Sequence, residues 1–185
     1  MKKNDSENKK SELAVFGGGC FWCLEAVFSK LKGVRSVTSG YSGGRKAEPT
    51  YEEVCSGKTG HAEVAKIEYD PAIISYRELL TVFFAMHDPT TPNRQGSDQG
   101  TQYRSIILYA NNKQKKEAES FIENLKAEKI FSEPIITEIK LFEDFYPAEN
   151  YHQKYFEKNT VNPYCQLNIS PKIAKLQEKF AELVK

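Results

Sequence analysis

The feature that most constrains this chain is a junction near its N-terminus. An apolar run at residues 13–16 stops at Gly17-Gly18-Gly19, and Cys20 follows at once. Ala26, Val27, Phe28 and Leu31 then recur at helical spacing until Gly33. A buried strand that turns through glycines into an amphipathic helix needs a sheet beside it and a layer to receive the helix. A thiol at that turn sits near unpaired backbone N–H groups and the positive end of a helix dipole. That location favours the thiolate, which is the nucleophilic form. A free cysteine is often just a small buried hydrophobe. The strand–glycine–cysteine–helix context favours the nucleophile. Phe21 and Trp22 add two rings beside the sulfur and point to an apolar pocket.

Further along, residues 34–41 and 62–69 alternate apolar and polar positions and read as strands. The stretch 42–51 reads as a loop, punctuated by Gly43-Gly44 and Pro49. Residues 75–86 read as a helix, with Ser75 and Glu78 spaced as a capping box. A long loop of the kind that is often functional spans 87–102. A strand is expected at 103–109, a charged amphipathic helix at 113–129 and a strand at 135–142. The aromatic-rich stretch 144–155 is expected to wrap the core. A C-terminal helix is expected at 171–184, capped by Ser170. Strands and helices alternate on short links, which predicts an α+β or α/β layer fold whose sheet is covered by at least two helices. No internal repeat, linker or low-complexity tract interrupts the pattern. Residues 13–185 therefore read as a single domain behind a disordered lead-in, 1–12.

Composition excludes several classes. Apolar residues make up 39% and aromatics 12% of 185 residues, too many for a disordered chain. Lys and Arg number 26 against 25 Asp and Glu, so nothing supports a nucleic-acid or acidic-lipid partner. Residues 1–12 lack the apolar core of a signal peptide, and no run reaches the roughly 18 apolar residues of a membrane span. The expected compartment is the cytoplasm. There, Cys20, Cys23, Cys55 and Cys165 are not expected to form structural disulfides. Cys20 and Cys23 have the C-x-x-C spacing of a redox pair. No second ligand pair accompanies them, and His61, His87 and His152 are far apart, so no metal site is expected.

Three further stretches carry chemistry. In Gly60-His61-Ala62-Glu63, Glu63 alternates in register with Ala65 and Ile67. A carboxyl on an apolar face is desolvated, its pKa rises, and it can donate a proton near neutral pH; the alternative is an ordinary solvated strand glutamate. A glycine-rich turn at 96–100 brings Asp98, Gln102 and Tyr103 to the start of a strand, although Asp and Gly are common in any turn. Tyr51 closes the 42–51 loop, after its glycines, and Cys165 lies in an irregular segment from which a mobile thiol could reach a site or stay inert.

Together these blocks resemble the peptide methionine sulfoxide reductase A family. The resemblance rests on Gly19-Cys20-Phe21-Trp22 with Glu25, Gly40-Tyr41-Ser42-Gly43-Gly44, Tyr51-Glu52-Glu53-Val54 and Gly60-His61-Ala62-Glu63. It continues through the stretch from Asp98 to Ser105 and through Ala148-Glu149-Asn150-Tyr151-His152-Gln153. The blocks stand in the family's order over residues 13–166. The resemblance implies a two-layer α+β sandwich with a ferredoxin-like βαβ core, a mixed sheet and a long irregular C-terminal segment. It implies thiol-dependent reduction of the S epimer of methionine sulfoxide, free or in proteins, and so repair of oxidative damage. No bound cofactor is implied; thioredoxin is the electron donor, and a monomer is expected. In the implied roles Cys20 attacks the sulfoxide sulfur, Glu63 protonates its oxygen, and Tyr51 and Tyr103 hydrogen-bond it. Phe21 and Trp22 hold the methyl group, Asp98 fixes the polar side, and His152 lies near it. Cys165 is the family-like cysteine that resolves the Cys20 sulfenic acid. Many relatives carry glycine where this chain has Cys23, so Cys23 stands as an alternative resolver, alongside a relay or another reductant. Cys55 is expected to pack inertly.

Overall fold

The computed structural model describes residues 11–185. The expected lead-in falls outside the described residues up to position 10. Glu12 already belongs to the first strand, β1 (Glu12–Gly17). The chain continues through α1 (Phe21–Phe28), β2 (Val34–Ser42), α2 (Tyr51–Cys55), β3 (Ala62–Tyr69) and α3 (Tyr76–Met86). A two-residue ribbon, β4 (Arg94–Gln95) and β5 (Asp98–Gln99), precedes a tight 3-10 turn, Thr101–Tyr103. Then come β6 (Ile106–Tyr109), α4 (Asn112–Ala127), β7 (Glu138–Leu141), β8 (Phe145–Pro147), α5 (Tyr155–Lys158) and α6 (Ser170–Lys179).

Six strands form one mixed sheet in the order β7-β6-β1-β3-β2-β8. The pairs β1/β3, β1/β6, β2/β3 and β2/β8 are antiparallel, and β6/β7 is parallel. Within it, β6-β1-β3-β2 has the strand order of a ferredoxin-like βαββαβ unit, with α1 and α3 as its crossovers. The alternation expected from the sequence sets the two faces. Ala14, Phe16, Ala65, Ile67 and Ile107 point to one side, where Leu24, Phe28, Leu79, Phe83, Phe121 and Leu176 of the helices complete the main core. Val15, Ala62, Val64, Ile106 and Leu108 form a smaller cluster on the other side, closed by Phe142 and Phe145.

Helix starts are specified locally. Ser75 and Glu78 form the expected capping box of α3, and Thr50 and Glu53 form a second one that starts α2. Each such cap stabilises by about 1 kcal/mol.

Several boundaries differ from expectation for identifiable reasons. The strand expected at 103–109 starts only at Ile106, because 101–103 close a 3-10 turn. The strand expected at 135–142 pairs only over Glu138–Leu141. Part of the wrapping stretch is an edge strand, with Gly40, Tyr41 and Ser42 pairing to Pro147, Tyr146 and Phe145. Beyond that strand, Gln153 continues the edge with its side chain: its Oε1 accepts the Ser39 N–H, and its Nε2 donates to the Ser39 carbonyl. The C-terminal helix ends at Lys179, and Ser170 is its first residue rather than a side-chain cap. It is entered through a π-helical turn, Cys165–Ile169, so the C-terminal segment is irregular only between short helical elements.

Candidate active site

Cys20 is the N-cap of α1 and is 7% exposed. The glycines before it are fixed by close approach. A Cβ on Gly17 would lie 2.8 Å from Ile106 and 2.9 Å from the Glu63 carbonyl. Gly19 has φ +95°, which disfavours a side chain. Its N–H donates to the Tyr103 carbonyl at 3.2 Å, tying the cysteine turn to the 3-10 turn.

Glu63 lies on the core face of β3 and is 1% exposed. Its Oε2 accepts the Phe21 N–H at 3.0 Å, and the Cys20 thiol is within hydrogen-bonding reach. Burial pushes its carboxyl up to about 8, and the nearby Asp98 charge adds to this. Glu63 is therefore a neutral acid at physiological pH, as its apolar register predicted.

Cys20 departs from expectation. A thiolate is expected at a helix start, yet the thiol is pushed well above its ordinary range, first by burial and then by the Glu63 charge. Burial outweighs the hydrogen bonds that the sulfur receives from the Tyr164 hydroxyl and the Trp22 N–H, while the first N–H of α1, on Phe21, goes to the Glu63 carboxyl.

Aromatic rings enclose the sulfur. Trp22 stacks on Tyr155 with centroids 3.6 Å apart and planes within 5°. Its Nε1–H donates to His152 Nδ1 at 3.1 Å. That bond leaves the His152 proton on Nε2, which is buried without a hydrogen-bond partner, 3.9 Å from Glu149. Burial lowers the His152 pKa, so the ring is neutral. Phe21 packs 5.1 Å from the His152 ring and 5.8 Å from Tyr41, and Tyr51 lies 4.6 Å from His152. Tyr51 and Tyr103 are half-buried and pushed upward, mainly by burial, and both feel the Glu63 charge. The structure thus gathers Cys20, Phe21, Trp22, Tyr51, Glu63, Asp98, Tyr103 and His152 at one end of the sheet.

Two cysteines sit differently from expectation. Cys165 is fully buried in the π turn and packs with Cys20, Cys23 and Ile169. Cys55 is exposed and stands within reach of the Tyr51 hydroxyl. All four thiols are free.

Other residues organise the site without having been singled out for it. The Tyr164 hydroxyl donates to Asp98 Oδ2 at 2.7 Å and stands within hydrogen-bonding reach of both Cys20 and Cys23. Its ring meets Trp22 edge-on at 5.6 Å. Glu149 accepts the Tyr41 hydroxyl and the Tyr51 N–H, at 2.8 and 2.9 Å. Glu25, buried in α1, accepts the N–H groups of Lys154 and Tyr155. That anchor holds Lys154 at φ +53° and delivers Tyr155 to Trp22. Glu25, Tyr41 and Glu149 lay within the resemblance blocks. Tyr164 was flagged in sequence only by the neighbouring Cys165.

A family profile described as peptide methionine sulfoxide reductase matches residues 12–184. The chain belongs to that family. Peptide methionine sulfoxide reductase MsrA of Saccharolobus solfataricus is 56% identical over 174 residues, covering 94% of this chain and 97% of the relative. The MsrA of Nautilia profundicola is 59% identical, covering 88% and 92%. In three dimensions the chain resembles reduced Mxr1 from Saccharomyces cerevisiae, with a TM-score of 0.77 and 34% identity over 86% of this chain and 91% of that one. The chain is accordingly a methionine sulfoxide reductase, an oxidoreductase. Among the described residues, no helix is long and apolar enough to cross a membrane.

Proposed function

We propose that this reductase acts on the S epimer of methionine sulfoxide through Cys20 and Glu63. The observation that carries the assignment is the placement of the Cys20 thiol against a buried carboxyl held neutral up to about pH 8. A sulfoxide oxygen leaves poorly unless protonated, and a neutral acid of raised pKa can supply that proton. Cys20 attacks the sulfoxide sulfur while Glu63 protonates the oxygen. The Cys20 thiol proton then restores Glu63. Methionine departs and Cys20 is left as a sulfenic acid, so oxygen passes from the substrate to the enzyme.

Tyr51 and Tyr103 direct hydroxyls to the oxygen; both sit close enough to Glu63 to feel its charge. Phe21 and Trp22 hold the S-methyl group, with Trp22 fixed by Tyr155 and His152. Asp98 acts through the Tyr164 hydroxyl that it accepts. Cys165 supplies a sulfur of the disulfide that ends the oxidative half. A thioredoxin-type dithiol reopens that bond by exchange. Residues 13–185 work as one catalytic domain, a monomer of the cytoplasm, acting on free methionine sulfoxide and on oxidised proteins.

The test is a single turnover without reductant, with stoichiometric methyl sulfoxide. The wild type should lose thiols and release methionine. Cys20→Ser should do neither, and a Cys20→Ser protein that still releases methionine would refute the assignment.

A further inference from the structure

We propose that Arg104 is a positioning residue of this reaction: its guanidinium fastens the turn that carries Tyr103 to the segment that leads into Glu63. It thereby keeps the Tyr103 hydroxyl aimed at the oxygen that Glu63 protonates. The inference rests on the Cys20 and Glu63 chemistry proposed for this site and concerns what holds one of its hydroxyls in place.

Acid and hydroxyl have unequal support. Glu63 stands on β3, where it pairs with Tyr41 of β2, and two residues on Ala65 pairs with Phe16 of β1. Neighbouring strands therefore hold that backbone from both sides. Tyr103 lies outside the sheet. It ends the 3-10 turn Thr101–Tyr103, and β6 begins only at Ile106. β1 lies between β6 and β3, so the pairing of β6 does not set the turn directly against Glu63. The turn is also weakly tied by its own groups. Its closing bond, from the Arg104 N–H to the Thr101 carbonyl, is 3.4 Å long. Thr101 Oγ1 and Gln102 Oε1 are buried without a hydrogen-bond partner among the described residues.

The Arg104 side chain supplies the tie. Its Nη1–H donates to the Thr101 carbonyl and its Nη2–H to the Gly60 carbonyl, each at 2.9 Å. Gly60 stands three residues before Glu63. Nε pairs at 3.3 Å with Oε1 of Glu138, the first residue of β7, and the Arg104 side chain is only 12% exposed. A guanidinium is planar and its donors form a rigid fork, so two carbonyls bound to it keep a fixed separation. Hydrogen bonds from an ionised donor are also about twice as strong as neutral ones. A lysine in the same place would keep the charge but not the fork. A separate bond, from the Gly19 N–H to the Tyr103 carbonyl, ties the turn to the cysteine. Arg104 and Gly19 together hold Tyr103 between the acid and the nucleophile.

Small displacements matter in such a site. A shift of about 1 Å in a positioned group can cost about 100-fold in rate. A residue that acts through the Tyr103 hydroxyl loses its effect on rate once that hydroxyl is gone. A residue that merely stabilises the fold keeps whatever effect it has.

The experiment uses the full chain, reduced, with excess L-methionine S-sulfoxide and no reductant, and follows the methionine burst by quenched flow. Varying the substrate separates the saturated burst rate from the half-saturating concentration. Arg104→Lys should lower the saturated rate by about 100-fold, with half-saturation within about twofold of wild type. Tyr103→Phe should lower the rate by a similar factor. The double variant should be no slower than Tyr103→Phe alone. Losses that multiply to about 10,000-fold would overturn the positioning role, as would a wild-type rate in Arg104→Lys. A Tyr103→Phe protein as fast as wild type would overturn it too, since no hydroxyl would need placing. If Arg104→Lys fails to fold, Glu138→Gln takes its place, because it neutralises only the partner of Nε. Its loss should be smaller and should vanish in the Tyr103→Phe background; no loss, or one that persists there, would overturn the proposal. Failure of the wild type to release methionine would overturn the Cys20 reading itself. A normal wild-type burst with any of the other adverse outcomes leaves that reading standing and removes only the role of Arg104.

Discussion

Glu63→Gln should make the protein more stable relative to wild type as pH rises. Glutamine keeps the shape and can still accept the Phe21 N–H through its amide oxygen, but it cannot ionise. In the wild type, burial raises the carboxyl from 4.5 to about 8. The folded state thus holds this proton more tightly than the unfolded chain does. Its contribution to stability is complete below the unfolded pKa, is lost progressively as pH rises, and levels off above the folded pKa. The interval between 4.5 and about 8 corresponds, at about 1.36 kcal/mol per pH unit, to a total on the order of 5 kcal/mol. The variant lacks this loss, so the stability difference, variant minus wild type, should climb with pH. Urea midpoints of both reduced proteins, from about pH 5 to about pH 8.5, measure it and stop before the raised Cys20 thiol begins to titrate. A difference that stays flat across that range would refute the reading of Glu63 as a buried neutral acid.

Three other contacts lead to measurable expectations. Tyr51→Phe and Tyr103→Phe should each lower kcat by about 100-fold in steady-state assays, the typical effect of deleting one hydrogen-bond donor to a developing oxyanion. Glu25→Ala removes the acceptor of the Lys154 and Tyr155 N–H groups; both bonds are only part-buried, so urea unfolding should show a loss of about 1 kcal/mol for each. Gly17→Ala drives a methyl against Ile106 and the Glu63 carbonyl, and thermal unfolding should register about 1–3 kcal/mol of overpacking.

The elements legible in the sequence were those with a strong local period. The stretch around Val64, Ile67 and Tyr69 identified β3, and the alternation of Glu63 with Ala65 and Ile67 placed its carboxyl on the main-core face. Ser75 and Glu78 announced α3. Other features depend on distant partners. β8 is three residues long and exists because β2 offers an edge. Five-residue α2 was hidden behind Gly43-Gly44 and Pro49, although Thr50 and Glu53 carried its capping box in plain view. Tyr164 gains its position from Asp98, 66 residues earlier in the chain. The same holds for the state of Cys20. A helix start can be read locally, but the burial and the carboxyl that reverse its effect arrive from β3.

The Gln153 amide at the border of the sheet bears on self-association. A strand edge with open N–H and C=O groups is a template for another chain. Among the described residues β2 is the longest strand, with nine residues, and β8 covers only its last three. By engaging both backbone groups of Ser39, Gln153 imitates one more residue of strand and closes the next step of that edge. This amide leaves another chain no open backbone group at Ser39 to pair with.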